Sequence, residues 1–405
     1  MMDGNVPGNG PRRRRPRVLF VDDQREVATT LSGLLASEGV ECRFADNGEA
    51  GLERLLAEVF DLAILDLRMP PGDWGGLWVL RELSQRGLLV DTLVLSGEAG
   101  QSETIEAIRL GAHDFVVKDK ASVELAARVR ETLVAAAKAR SDFAASRLPA
   151  PVALPYQRMQ VPQDGEARFR AGLAAAEAAV RFSALAAIAV ARARGRLDES
   201  LLSQMARPSF GTWRGICRHL LPTVREHGLG RWIEAVCVPE MDVIVRHRND
   251  SVHGGGVPAG GVDQALTDVL GWLDFFVLTV RSGIPVDLVV AGAMTFTGTA
   301  YNTELSPLSG AARSVGVART EVATPLVSGR VYLASANDYV DIWPLILAGA
   351  GPAGDWNVRV LDGFHETRRG KTSSTDRLKY VDCQTGERLT SQERVVDELH
   401  GAEAP

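Results

Sequence analysis

Five side chains with complementary chemistry sit just after strand-length apolar runs. Asp22 and Asp23 follow the run 18–21, and Asp66 follows 62–65. Ser96 follows 92–95, and Lys118 follows 115–117. In an open parallel sheet the carboxyl ends of the strands meet at a crevice, beside the point where strand order reverses. Three carboxylates converging there repel one another unless a hard cation neutralises them, and Mg²⁺ suits an all-oxygen site that keeps several waters. A hydroxyl from Ser96 and a point positive charge from Lys118 complete a set suited to an aspartyl-phosphate. One carboxylate attacks phosphorus while the cations offset the transferred charge.

The elements that must carry these groups alternate. Strand-like runs at 18–21, 42–45, 62–65, 92–95 and 115–117 are separated by amphipathic stretches at 26–38, 48–58, 77–86 and 103–110, and 123–145 closes the series. Five successive βα units specify an α/β fold, a five-stranded, doubly wound parallel sheet covered on both faces.

The segments VLFVDDQREV, AILDLRMP, LVLSGEAG and DFVVKD together resemble the bacterial response regulator receiver domain, a flavodoxin-like fold, over about residues 17–140, within a first domain expected to span 17–146. The resemblance implies that Asp66 is the phosphoacceptor. Asp23 would ligate Mg²⁺ directly, Asp22 largely through water, and the backbone carbonyl of Arg68 would complete the protein ligands. Ser96 would bind phosphoryl oxygens, Lys118 would pair with them, and Phe115 would be the aromatic switch residue. It also implies a sensor histidine kinase or phosphotransfer protein as donor, and a homodimer. Two features depart from the family pattern. Asp119 stands where proline usually follows the lysine, and a cis bond before Asp would cost about 2.5–4 kcal/mol, so a trans peptide is expected. The loop 69–76 is long and holds Trp74, either presented to a partner or anchoring the loop.

Beyond this unit, residues 147–164 hold Pro149, Pro151, Pro155 and Pro162 and read as a semi-rigid linker. Residues 165–282 read as an all-α bundle. Its sharpest motif is Arg248-Asn249 followed by His253, near the end of a helix and just before a Gly-rich stretch. Arginine can stabilise a phosphate oxyanion and histidine can move a proton near neutral pH. The motif resembles that of HEPN helical bundles, which implies either metal-independent RNA cleavage or a non-catalytic binding or dimerising module. Residues 283–400 carry short β-prone runs at 286–290, 294–296, 330–333, 342–347, 357–361 and 378–381, expected to form a small, mostly antiparallel β domain. A charged cluster around His365, Arg368 and Lys371 reads as a solvated loop.

Composition bounds the rest. Residues 1–16, with their run of arginines, read as a disordered basic tail. A net charge of −6 argues against a chain-wide DNA-binding surface, and no helix-turn-helix pattern follows the linker. The four cysteines lack metal-ligand spacing and suit a reducing cytoplasm. Apolar runs are broken before about 18 residues, so no membrane span is expected. The chain is therefore expected to be a cytoplasmic, phosphorylation-controlled regulator whose helical output docks a partner or dimerises, with a ribonuclease as the alternative.

Overall fold

The computed structural model describes residues 15–97, 101–161, 164–225, 227–253, 261–310, 316–336, 338–351, 355–364 and 377–390. The basic tail up to residue 14, the Gly-rich stretch 254–260 and the charged loop 365–371 lie outside them.

The first unit alternates strand and helix as expected: β1 (Arg17–Val21), α1 (Arg25–Ser37), β2 (Glu41–Ala45), α2 (Gly48–Ala57), β3 (Leu62–Asp66), α3 (Gly75–Gln85), β4 (Thr92–Ser96), α4 (Gln101–Arg109), β5 (Asp114–Val117) and α5 (Ala121–Ser146). The strands are all parallel, in the order β2-β1-β3-β4-β5. Strand order reverses between β1 and β3, so a crevice opens at their carboxyl ends. Side chains alternate across the sheet. Leu19, Val21, Ala63, Leu65 and Val94 pack on one face with Leu52, Leu55, Leu77 and Leu80 of α2 and α3. Val18, Phe20, Leu62, Ile64, Leu93 and Leu95 pack on the other with Leu31, Leu35, Leu125 and Val129 of α1 and α5. Burial on both faces is why these strands read as continuous apolar runs.

The expected linker is not one. Residues 150–160 form α6 (Ala150–Gln160), with Val152, Ala153, Tyr156 and Met159 buried. Pro151 lies in its first turn, where a missing N–H costs nothing. Pro155 sits inside the helix, and burial of the apolar face outweighs its lost hydrogen bond. Next come α7 (Gly165–Ala193), α8 (Glu199–Gln204), α9 (Phe210–Val224), α10 (Gly230–Cys237), α11 (Glu240–His253) and α12 (Val262–Arg281). Helix α7 is long and apolar enough to cross a membrane, but 78% of its most apolar stretch is buried within the protein, which makes it a core helix. Two of its arginines turn toward the sheets. Arg181 pairs with Asp362 at 3.1 Å, and Arg192 donates to the carbonyls of Asp341 and Trp343.

The C-terminal part is antiparallel as expected, but it forms two sheets. The first contains β6 (Asp287–Phe296), β7 (Tyr301–Pro307), β8 (Ala318–Val322), β9 (Val331–Ser335) and β10 (Asp338–Asp341), in the order β10-β9-β6-β7-β8. The second is the meander β11 (Ile346–Ala350), β12 (Trp356–Phe364), β13 (Leu378–Asp382) and β14 (Arg388–Thr390). The strand expected over 342–347 begins only at Ile346. Sequence patterning missed β8 because it is a polar, mostly exposed edge. It missed β7 because that strand mixes polar residues and ends in proline.

Helices and strands share one core. Phe182, Trp213, Trp232 and Phe276 from the helices cluster with Leu288, Leu333, Val358, Leu361 and Tyr380 from the sheets. Helix α5 belongs to both halves of the molecule: Leu125 and Val129 pack against the parallel sheet, while Ala144 packs in the helix–sheet core.

Candidate active site

Asp66 is the last residue of the central strand β3 and is 3% exposed. Asp22 stands just beyond β1 and is equally buried, whereas the neighbouring Asp23 faces solvent. One carboxylate oxygen from each of Asp22, Asp23 and Asp66 lies within 4.8 Å of the others. Lys118, just after β5, reaches across them: its Nζ is 2.9 Å from Asp66 Oδ2 and 3.0 Å from Asp22 Oδ2. Asp66 Oδ1 accepts from the Arg68 backbone N–H at 3.3 Å, and Asp22 Oδ1 accepts from Gln24 N–H at 2.8 Å. Ser96 ends β4, buried, in register with Val117 on β5. Phe115 on β5 turns its ring outward, 42% exposed.

The electrostatics follow from this packing. Burial raises the Asp66 carboxyl above its ordinary value, although the hydrogen bond and charge of Lys118 oppose the rise. For Lys118, burial works against the ammonium, and its hydrogen bonds to Asp66 and Asp22 outweigh burial and raise its pKa.

Whether the donor set suits a divalent cation can be tested on Asp22. Its Oδ2 is buried and makes no hydrogen bond of good geometry, leaving only the ion pair with Lys118. A buried carboxylate oxygen whose close cationic neighbour is a single ammonium, beside two further carboxylates, fits a hard cation.

Two glycines that sequence reasoning noted only as part of a long loop turn out to shape the crevice. A Cβ at Gly76 would lie 2.2 Å from the Asp66 carbonyl oxygen, and one at Gly75 would lie 2.3 Å from the Pro70 carbonyl oxygen. Only glycine lets α3 begin against the end of β3. Trp74, half-buried, packs on the apolar cluster beneath the loop, as in the anchoring alternative. The cis peptides among the described residues are Pro70–Pro71 and Trp343–Pro344, and Lys118–Asp119 is trans. Asp119 is exposed, and Lys118 pairs with Asp22 and Asp66.

The second motif is arranged differently. Arg248 lies 4.0 Å from Glu177 of α7, Asn249 is exposed, and the His253 side chain lies outside the described residues. The organised group nearby is one that sequence reasoning passed over. Buried His247 pairs through Nε2 with Asp268 at 2.9 Å, Gln264 bonds the same carboxylate at 2.8 Å, and Phe169 packs edge-on against the imidazole.

A doubly wound sheet with this acid–lysine crevice defines a class, and comparison with known proteins names it. Residues 18–130 match the family of the response regulator receiver domain, the receiver of two-component systems. Over 114 residues the chain is 32% identical to the transcriptional regulatory protein DltR of Streptococcus agalactiae, covering 28% of this chain and 50% of that protein. Over 117 residues it is 36% identical to the response regulator MprA of Mycobacterium leprae, covering 29% of this chain and 50% of that protein. The chain thus spans about half the length of the curated relatives it matches. A solved CheY-like receiver from Methanospirillum hungatei is 24% identical, covers 31% of this chain and 98% of its own, and superposes with a TM-score of 0.29.

Proposed function

We propose that Asp66 is the phosphoacceptor of a two-component response regulator, and that its phosphorylation controls the helix–sheet body. The observation that carries this is the Lys118 bridge between Asp66 and Asp22 in the acidic crevice. A carboxylate oxygen of Asp66 would form the new P–O bond as the bond from phosphorus to the donor breaks. The donor would be the phosphohistidine of a kinase or phosphotransfer protein. Lys118 would move from the carboxylates to the incoming phosphoryl oxygens, and the Ser96 hydroxyl would bind another of them. Asp22, Asp23, Asp66 and the Arg68 carbonyl would hold Mg²⁺, which would supply charge neutralisation.

For the output, we favour protein docking or dimerisation in a cytoplasmic setting. Ile105, Ile108, Phe115 and Val123, on or beside α4, β5 and α5, are exposed apolar residues available for such contact. Arg248 lies toward the Glu177 carboxylate, 4.0 Å away, and Asn249 is exposed, so RNA cleavage gains no support. Several relatives are named transcriptional regulators, so binding to duplex DNA is the competing output to test. Incubating the full chain with acetyl phosphate and Mg²⁺ should add one phosphoryl group by mass, and Asp66→Asn should abolish it. Unmodified mass in the parent protein would refute the assignment.

A further inference from the structure

The pole of the sheet opposite the crevice is gripped by the helical body. Asp91 immediately precedes β4 and is 1% exposed. Its carboxylate takes a two-pronged contact from Arg281, the last residue of α12, at 2.5 and 3.1 Å. His113, just before β5, lies 3.4 Å from the same carboxylate. Asp61, just before β3, accepts from the Arg17 backbone N–H at 2.8 Å, which ties in β1. It also lies 3.8 Å from Arg140 of α5, whose Nε donates to Asp274 of α12 at 3.0 Å. From α10, Arg231 donates to the carbonyls of Leu55 and Leu56, at the end of α2, and to Ser282.

These contacts hold the starts of the strands that carry the chemistry. Asp61 leads into β3, which ends at Asp66. Asp91 leads into β4, which ends at Ser96. His113 leads into β5, which bears Phe115 and precedes Lys118. A five-residue strand spans roughly 17 Å, so the grip and the crevice are joined most directly through β3 and β4, which are buried throughout. The grip is closed in the same structure that has Phe115 turned outward and Lys118 held by two carboxylates. A contact made in one arrangement draws the equilibrium toward that arrangement.

We propose that the Arg281–Asp91 and Arg231–α2 contacts form a clamp that opposes phosphorylation of Asp66, and that phosphorylation in turn loosens the clamp. The proposal rests on Asp66 being the phosphoacceptor. Coupling between sites is reciprocal and commonly amounts to about 5–150-fold. Opening the clamp should therefore raise the fraction phosphorylated at a fixed, subsaturating donor concentration. The clamp residues lie outside the crevice and touch none of its ligands, so the effect of the Arg281–Asp91 pair would travel through β4.

The test uses the full chain with acetyl phosphate and Mg²⁺, scored on phosphate-affinity gels, alongside hydrogen exchange of the end of α12 and the start of β4. Arg281→Ala, Arg231→Ala and Asp91→Asn are compared with the parent, and circular dichroism selects the variants that remain folded. Arg231, which contacts backbone carbonyls, serves as the second probe should the Arg281 variant not fold. At least one folded variant should show a several-fold higher initial rate or extent of phosphorylation. Phosphorylation of the parent should speed exchange at the end of α12, and Asp66→Asn should show no such change. Unchanged phosphorylation in the folded clamp variants would overturn the coupling, as would exchange at α12 that ignores phosphorylation. Failure of the parent to be phosphorylated would overturn the Asp66 assignment itself, and the coupling with it. Exchange in the Arg281 variant would still show whether the clamp holds the two halves together.

Discussion

Arg281 and Asp91, 190 residues apart in sequence, meet in a buried two-pronged ion pair that joins the last turn of α12 to the start of β4. Removing one partner of a buried pair leaves the other charge unpaired in a poor solvent, which typically costs about 3–5 kcal/mol. Arg281→Ala is expected to lower stability by an amount of that order, read from the urea midpoint. Replacing both partners with apolar residues should cost less than either single change. An Arg281→Ala midpoint equal to the parent's would mean that the pair is not closed in solution.

Asp66→Asn should eliminate phosphorylation without weakening the fold. Burial raises the Asp66 carboxyl, so the folded state holds this proton more tightly than the unfolded chain does. Its ionisation therefore costs stability as pH rises from the ordinary carboxylate value through the raised one, and that cost is fully present only above the raised value. The amide removes it. The urea midpoint of Asp66→Asn at pH 7 should equal or exceed the parent's, and a clearly lower midpoint would contradict the electrostatics described for the crevice.

Lys118→Met should move the same carboxyl further up, because the hydrogen bond and charge that oppose burial are lost. The pH profile of phosphorylation should shift to higher pH and its plateau should fall. The stability contributed by Lys118 itself has the opposite sign. Its pKa is raised, so its contribution is present below the ordinary lysine value and is lost as pH climbs through the raised one. The parent's advantage over Lys118→Met should therefore shrink only in strong alkali, as followed by unfolding at a series of pH values.

Gly76→Ala places a methyl group 2.2 Å from the Asp66 carbonyl oxygen, a backbone atom that cannot swing aside. Overpacking of this kind costs about 1–3 kcal/mol, or more where backbone must shift. The variant should lose stability and also phosphorylation rate, because the shift falls on Asp66, the proposed phosphoacceptor. Gly72→Ala is the control. Gly72 has open space around it but a positive φ of 64°, so it should cost stability without reaching Asp66.

Met159→Ala separates a buried α6 from a linker. Met159 is 2% exposed in the core shared by helices and sheets. A buried Met→Ala change costs about 2–5 kcal/mol, whereas the same change in a solvated linker would cost almost nothing. Thermal or urea unfolding decides between them.

Much of the crevice was legible in the sequence because the period of a buried parallel strand is short and its end is marked chemically. Three or four strand-forming residues followed by Asp, Ser or Lys place Asp22, Asp66, Ser96 and Lys118 at strand ends from the sequence alone. The opposite pole was not legible. Asp61, Asp91 and His113 look like ordinary polar residues before strands, and Arg231 and Arg281 like ordinary helix-surface cations. Their pairing depends on where α10 and α12 land.

The α6 helix was hidden for another reason. Proline is a strong local signal against helix, and only the apolar core that receives Tyr156 and Met159 outweighs it. Likewise α7 reads as an Ala-rich helix with basic residues, and only the arrival of β10 and β12 turns Arg192 and Arg181 inward. Local chemistry and periodicity thus determined the receiver sheet, its order of elements and its acidic crevice, because those features are set by neighbours a few residues apart. Tertiary structure alone decided that helices and sheets share one core and that the receiver is clamped at its far pole. Those features depend on contacts between groups more than a hundred residues apart, which no local pattern encodes.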